Sequence, residues 1–264
     1  MRVLNKVIVV TGAGGGIGRE ITCQLLEKGA RVAAILNKSG LEEIQTLSNV
    51  YGNKISTHIA NLTRREEVER LPEEIISIHG SVDGIINNAG IIQPFVNVNE
   101  LDFERIKLVM DVNFYGTLYM CKAFLPHLLK RPEAHITNIS SMGGFIPVPG
   151  QSVYGASKAA VKLLTEGLHS EFKDTKVGVT VVLLGGVNTN IVQNSGAEIG
   201  IEISENQKRM LLSAERAAKL IIKGMENNKC RVIAGKDSKL MDFFYRINPI
   251  KATDLLAKKL KLQE

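Results

Sequence analysis

Tryptophan is absent from the chain, and aromatic residues make up only 5% of it. There are three cysteines, Cys23, Cys121 and Cys230, far apart and in no Cys-x-x-Cys pair. Such a set excludes a disulfide scaffold and fits thiols kept reduced in a cytosol, so a cytoplasmic location is expected. The five histidines are equally dispersed. With no His-Glu-x-x-His and no Cys/His cluster, no metal site is expected. No stretch approaches the roughly 18 apolar residues that would cross a bilayer. The N-terminal Met1-Arg2-Val3-Leu4-Asn5-Lys6 runs straight into a short apolar segment, so neither a signal peptide nor a transmembrane helix is expected. Internal repeats, low-complexity segments and linkers are also missing.

What remains is 264 residues, 44% hydrophobic and 23% charged, the size and apolar content of one α/β domain. The net charge of +6 is unevenly placed. Residues 229–264 hold nine basic and four acidic side chains, and so carry +5 of it. The preceding body is near neutral and lacks the basic stripe of a nucleic-acid-binding surface.

Short apolar runs alternate with amphipathic segments. Strands are predicted at Val7–Val10, Val32–Leu36, Ile55–Ile59, Gly84–Ile86, Ala134–Ile139 and Val177–Leu184, with helical patterns after the first strand and at 40–50, 100–130 and 152–173. Strand and helix alternating in this way imply right-handed parallel crossovers. The fold class is therefore α/β, a single doubly wound parallel sheet with helices on both faces, Rossmann-type. Ligands of such sheets bind at the C-terminal strand ends, near the point where strand order reverses.

The residues after the first strand are Thr11-Gly12-Ala13-Gly14-Gly15-Gly16-Ile17-Gly18. Glycines there let the backbone turn tightly and approach a pyrophosphate, whose charge is met by the N–H groups of a helix N-terminus. A glycine-rich turn alone is weak evidence. No Lys-Ser or Lys-Thr pair follows, which disfavours a triphosphatase loop.

Tyr154 and Lys158 lie four apart on a predicted helix and so share a face. An ammonium beside a phenol favours the phenolate, which makes tyrosine usable for proton transfer. Ser141 ends the fifth strand thirteen residues earlier and brings a hydroxyl to the same crevice. Tyr154-Gly155-Ala156-Ser157-Lys158, Asn138-Ile139-Ser140-Ser141, Asn87-Asn88-Ala89-Gly90 and the glycine-rich loop, in that spatial logic, together resemble the short-chain dehydrogenase/reductase family. The resemblance covers about residues 5–235.

The resemblance implies an NAD(P)-dependent oxidoreductase with a catalytic set of Asn113, Ser141, Tyr154 and Lys158. Tyr154 would give or take the proton and Ser141 would hydrogen-bond the substrate oxygen. Lys158 would bind the nicotinamide ribose and lower the tyrosine pKa, and Asn113 would hold a proton-relaying water. Cofactor contacts are implied at Gly12, Gly14, Gly16, Ile17, Gly18, Asn37, Lys38, Asn61, Leu62, Asn88, Ala89 and Gly90, with Tyr154 and Lys158. Gly185, Val187 and Thr189 resemble the family's carboxamide-holding loop, with Leu184 where a proline is usual. Asn61 stands where the family commonly has aspartate, and its amide carbonyl can still accept. A homodimer or homotetramer built on the helices near 100–130 and 152–173 is implied as well.

At the end of the second strand an acidic residue selects NAD and a basic one favours the 2′-phosphate of NADP. Leu36-Asn37-Lys38-Ser39 has no acid there, so NADP is the expected cofactor, with NAD as the alternative. Met142, Phe145, Ile146, Pro147 and Val148, with Ile191, Ile199, Ile201, Ile203 and Met210, are expected to form an apolar pocket and lid. The expected substrate is accordingly a hydrophobic secondary alcohol, its ketone, or an aldehyde. The domain is expected to span 1–235, followed by a basic amphipathic extension, 236–264, beyond the catalytic motifs. That extension can lie on an anionic membrane or pack on its own domain or a neighbouring subunit. A reading from another class is a non-catalytic nucleotide-binding sensor or scaffold docked by this tail; a third, nucleic-acid binding, has only the tail to support it.

Overall fold

The computed structural model describes residues 1–37, 40–189, 191–196 and 211–261. The first half runs β1 (Val7–Thr11), α1 (Gly16–Glu27), β2 (Arg31–Leu36), α2 (Leu41–Tyr51), β3 (Ile55–Ile59), α3 (Arg65–His79) and β4 (Gly84–Asn87). It continues with α4 (Phe103–Met110), a π-helical turn (Asp111–Tyr115), α5 (Gly116–Leu128), β5 (Ala134–Ser141), α6 (Ser152–Glu171) and β6 (Val177–Leu184). The C-terminal part holds β7 (Val187–Asn188), α7 (Ile191–Asn194), β8 (Leu212–Ser213), α8 (Ala214–Glu226), β9 (Arg231–Ala234), α9 (Lys236–Ile247) and α10 (Pro249–Lys261).

Seven parallel strands form the main sheet in the order β3-β2-β1-β4-β5-β6-β9, and β7 pairs with β8 separately. The chain leaves β1 in one direction to β2 and β3, then crosses through α3 to β4 on the other side, so β1 and β4 flank the reversal point. Val7–Thr11 is buried throughout because helices cover both faces of the sheet. Alternation divides the strands between two cores. Ile8, Val10 and Ile86 pack with Ile21 and Leu25 of α1 and Ile221 of α8. Val9, Ile85 and Ile136 pack with Leu71 of α3 and Met120 and Phe124 of α5.

All six expected strands form, three of them extended by one or two residues at their C-terminal ends. The seventh strand, β9, is absent from the sequence reading because Arg-Val-Ile-Ala is too short to show a period. The expected helix over 100–130 is two helices joined by the π turn. The C-terminal segment also differs from an appendage beyond the motifs. The hydroxyl of Ser238 on α9 donates to the Leu183 carbonyl of β6, and the Arg231 guanidinium of β9 is paired with Asp242 of α9 at 2.6 Å. Farther along, Ala252 and Leu256 of α10 pack on Ile146 with Met241 and Tyr245 of α9.

Candidate active site

Two adjoining clefts open at the C-terminal ends of the strands and share Ile17, Asn88, Gly90, Thr189 and Ile191. The smaller, about 390 Å³, runs along the glycine-rich loop. The larger, about 1230 Å³, contains Ser141, Tyr154 and Lys158.

Thr11 ends β1 and fixes the reversal point. Its Oγ1 accepts the N–H groups of Asn88 and Ala89, each at 3.0 Å, while Asn88 Nδ2 donates to the Thr11 carbonyl at 3.1 Å. Gly12 then takes φ +64°, a conformation that favours glycine. A Cβ on Gly18 would stand 2.0 Å from the Gly12 carbonyl oxygen, and one on Gly14 would stand 2.6 Å from the Gly40 carbonyl oxygen. Beyond this cradle α1 begins with no side-chain cap and no acidic residue in its first turn. Its leading N–H groups are the donors an anionic pyrophosphate requires, so an extended dinucleotide fits the residues present.

Ser141 closes β5, and its Oγ accepts the Gly143 N–H at 3.1 Å. The Ser141 hydroxyl is close enough to the Tyr154 phenol to act on its ionisation. Burial raises the pKa of that phenol, and the Ser141 hydroxyl acts in the opposite direction. Of the two influences on the phenol, burial is the larger. Lys158 itself is 5% exposed, its Nζ donates to the Ile139 carbonyl at 3.0 Å, and burial lowers its pKa to about 8. A Cβ on Gly90 would meet Lys158 Nζ at 3.0 Å and Asn113 Oδ1 at 3.1 Å, which ties the loop after β4 to both side chains.

Asn113 lies on the π turn and is fully buried. Its Oδ1 accepts the Ile91 N–H at 2.8 Å, and its Nδ2 donates to the Ile91 carbonyl and Ser157 Oγ, both at 2.9 Å. It therefore sits beneath the cleft floor and does not line it.

Of the residues expected to contact cofactor, Gly12, Gly14, Gly16, Ile17, Asn37, Asn61, Leu62, Asn88, Ala89, Gly90, Gly185, Val187 and Thr189 line the clefts. Gly18 packs behind the loop. Lys38 and Ser39 lie outside the described residues, as do Ile199, Ile201, Ile203 and Met210. Among the expected pocket residues, Met142, Val148 and Ile191 face the larger cleft. Ile146 and Phe145 instead pack against α9 and α10, and Pro147 is exposed, so these three do not form the pocket.

Several contributors were not legible in the motifs. Gln93, fully buried, accepts the Val153 and Tyr154 N–H groups at the start of α6. Glu43, on the first turn of α2, lines the smaller cleft with Asn37. Asp237 of α9 accepts the Gly186 N–H at 2.8 Å and so braces the loop carrying Val187 and Thr189. Their side chains arrive from distant elements, and no local spacing marks them.

Comparison with known proteins agrees with this geometry. A family model described as short chain dehydrogenase matches residues 6–200. The chain is 36% identical over 250 residues to SadH of Mycobacterium tuberculosis, itself only provisionally an oxidoreductase, covering 92% of this chain and 90% of that one. It is 33% identical over 223 residues to an uncharacterised oxidoreductase of Staphylococcus epidermidis, covering 84% and 91%. A short chain dehydrogenase from Burkholderia cenocepacia, solved with NADP, superposes with a TM-score of 0.80 at 27% identity over 97% of this chain and 99% of that one. An enzyme of the same kind from Burkholderia phymatum, solved with NAD, shares the fold at a TM-score of 0.79 and 24% identity over 88% and 90%.

Proposed function

The chain belongs to the short-chain dehydrogenase/reductase family, and from that premise we propose that it interconverts a hydrophobic secondary alcohol and its ketone, or an aldehyde, with NAD(P). The observation that carries this reading is the meeting of Ser141, Tyr154 and Lys158 in one cleft that continues into the glycine-rich loop.

The nicotinamide, when bound, supplies or accepts the hydride. In reduction the Tyr154 hydroxyl gives its proton to the substrate oxygen; in oxidation it takes one back. Ser141 Oγ donates to the same oxygen and stabilises the charge that develops there. Lys158, held by the Ile139 carbonyl, brings its Nζ to the larger cleft and would bind the nicotinamide ribose there. Asn113 keeps Ile91 and Ser157 in place and so supports both Gly90 and the helix that carries Tyr154.

Met142, Val148, Phe95, Ile92 and Leu211 give the larger cleft an apolar lining, which supports a hydrophobic substrate. NADP is the favoured carrier, read from the basic and hydroxyl residues Lys38 and Ser39 of the sequence; Glu43, which lines the smaller cleft with Asn37, acts against it by repelling a 2′-phosphate. Pairing of subunits across α4 to α6 is supported by Phe103 and Leu163, which leave 83% and 70% of their surface exposed. The test is nicotinamide absorbance with both cofactors against a panel of ketones, aldehydes and secondary alcohols. Turnover restricted to small charged carbonyls overturns the substrate assignment, and wild-type turnover by Tyr154→Phe overturns the mechanism.

A further inference from the structure

Helix α9 carries two apolar stripes, and only one of them is covered. Met241 and Tyr245 face inward and pack with Ile146, Ala252 and Leu256. Leu240, Phe243, Phe244 and Ile247, spaced at helical intervals on the other side, face solvent. Phe243 and Ile247 leave 60% and 65% of their surface exposed, and Ile250 at the start of α10 leaves 75%. The Phe243 and Phe244 rings meet edge to face at 5.9 Å and make one continuous patch. Neither burial in this domain nor solubility accounts for such a stripe.

The charges around it are mostly basic. Asp237 is turned to the Gly186 N–H and Asp242 to Arg231 and Arg246, so two of the three carboxylates on α9 and α10 are occupied internally. Lys236, Lys239 and Lys251 are exposed and, among the described residues, have no carboxylate partner. Among the described residues of the two helices, Asp254 is the one exposed carboxylate without such a partner to offset them. A second copy seated on the stripe by a two-fold axis would bring these lysines together, which works against self-association. An anionic lipid surface satisfies both features, taking the apolar side chains into its interface and the lysines at its headgroups.

We propose that α9 and α10 form a docking element for anionic membranes. The inner side of this hairpin packs on the segment from Met142 to Val148, whose two end residues line the larger cleft. Docking thus holds one cleft wall a helix's thickness from the bilayer, within reach of a lipid-dissolved compound.

The test is sedimentation of the full-length protein with vesicles of phosphatidylcholine alone and of phosphatidylcholine with phosphatidylserine. The protein is expected to sediment with the anionic vesicles and to be released by salt. Phe243→Glu with Ile247→Glu is expected to weaken this binding at least about tenfold, as is Lys239→Glu with Lys251→Glu. Because these side chains are exposed, thermal unfolding and turnover without vesicles are expected to stay unchanged. Equal sedimentation of wild type and both variants overturns the proposal. It is also overturned if wild type ignores anionic vesicles, or if light scattering shows a dimer that Phe243→Glu with Ile247→Glu dissolves, which would make the stripe a contact between copies. None of these readouts requires a known substrate.

Discussion

Gln93 and Tyr154 are joined through the backbone. The Gln93 Oε1 accepts the Tyr154 N–H at 3.0 Å and the Val153 N–H at 2.9 Å, and its Nε2 donates to the Gly150 carbonyl at 2.9 Å. Helix α6 has no capping side chain of its own at Gln151, so its leading N–H groups are satisfied by a residue on the loop after β4. The loop after β4 and the helix bearing Tyr154 and Lys158 are thereby one mechanical unit.

Replacing Gln93 with leucine strands the partly buried Val153 and Tyr154 N–H groups, while the Gly150 carbonyl keeps the Gln151 Nε2 donor at 3.1 Å. The expected cost is about 2 kcal/mol in urea unfolding, with lower kcat and little change in cofactor Kd. Cofactor fluorescence titration beside steady-state kinetics checks this.

Tyr154→Phe is expected to lower turnover at least about a hundredfold while cofactor binding stays within a few-fold. The pH profile carries further information. Burial holds Tyr154 protonated across the neutral range, whereas Lys158 loses its charge as pH rises through about 8. The kcat/KM for reduction should therefore be flat near neutrality and fall through about pH 8. Ser141→Ala removes the hydroxyl that lowers the Tyr154 pKa, so the alcohol-oxidation limb should move to higher pH.

Acid sensitivity should centre on a histidine remote from the clefts. His135 is 1% exposed, bonds Thr180 Oγ1 at 2.8 Å, and burial lowers its pKa from 6.5 to about 3. The unfolded chain takes up this proton first, so the contribution is complete above about pH 6.5 and is lost as pH falls toward 3. Its size is on the order of 5 kcal/mol. Urea unfolding of wild type and His135→Gln at descending pH should show a flatter decline for the variant.

Gly18→Ala places a methyl group 2.0 Å from the Gly12 carbonyl oxygen, an overlap that backbone must relieve. Loss of measurable dinucleotide binding is expected even where circular dichroism shows a folded chain.

Glu43→Gln tests cofactor selection. Removing the carboxylate from the cleft end that holds Asn37 and Gly40 should raise kcat/KM for NADP several-fold and leave NAD nearly unchanged, as a ratio of the two initial rates would report.

The strands and catalytic motifs were legible because each is local. Val7–Thr11 is apolar without interruption since both sheet faces are covered, and Tyr154 to Lys158 is one helical turn. Gln93, Glu43 and Asp237 were not legible, because each acts on a segment brought near only by the fold. Ile146 and Phe145 were misread for a related reason. Apolar residues between Ser141 and Tyr154 can face the cleft or the C-terminal helices, and composition alone does not choose. The extension, placed beyond the catalytic motifs, touches the Gly185–Gly186 loop through Asp237, a contact that no local pattern marks.

The π turn at Asp111–Tyr115 adds a residue to one turn of an otherwise continuous helix. One residue is about 100° of rotation in an α-helix. Ahead of that offset the helix turns Val109 inward, within it Asn113 meets Ile91, and after it Met120 and Phe124 meet the sheet. Deleting a residue there would preserve helicity but rotate one half against the other, so that either the asparagine or the phenylalanine kept its neighbour. The length of this turn is what allows a single rod to serve two differently oriented surfaces.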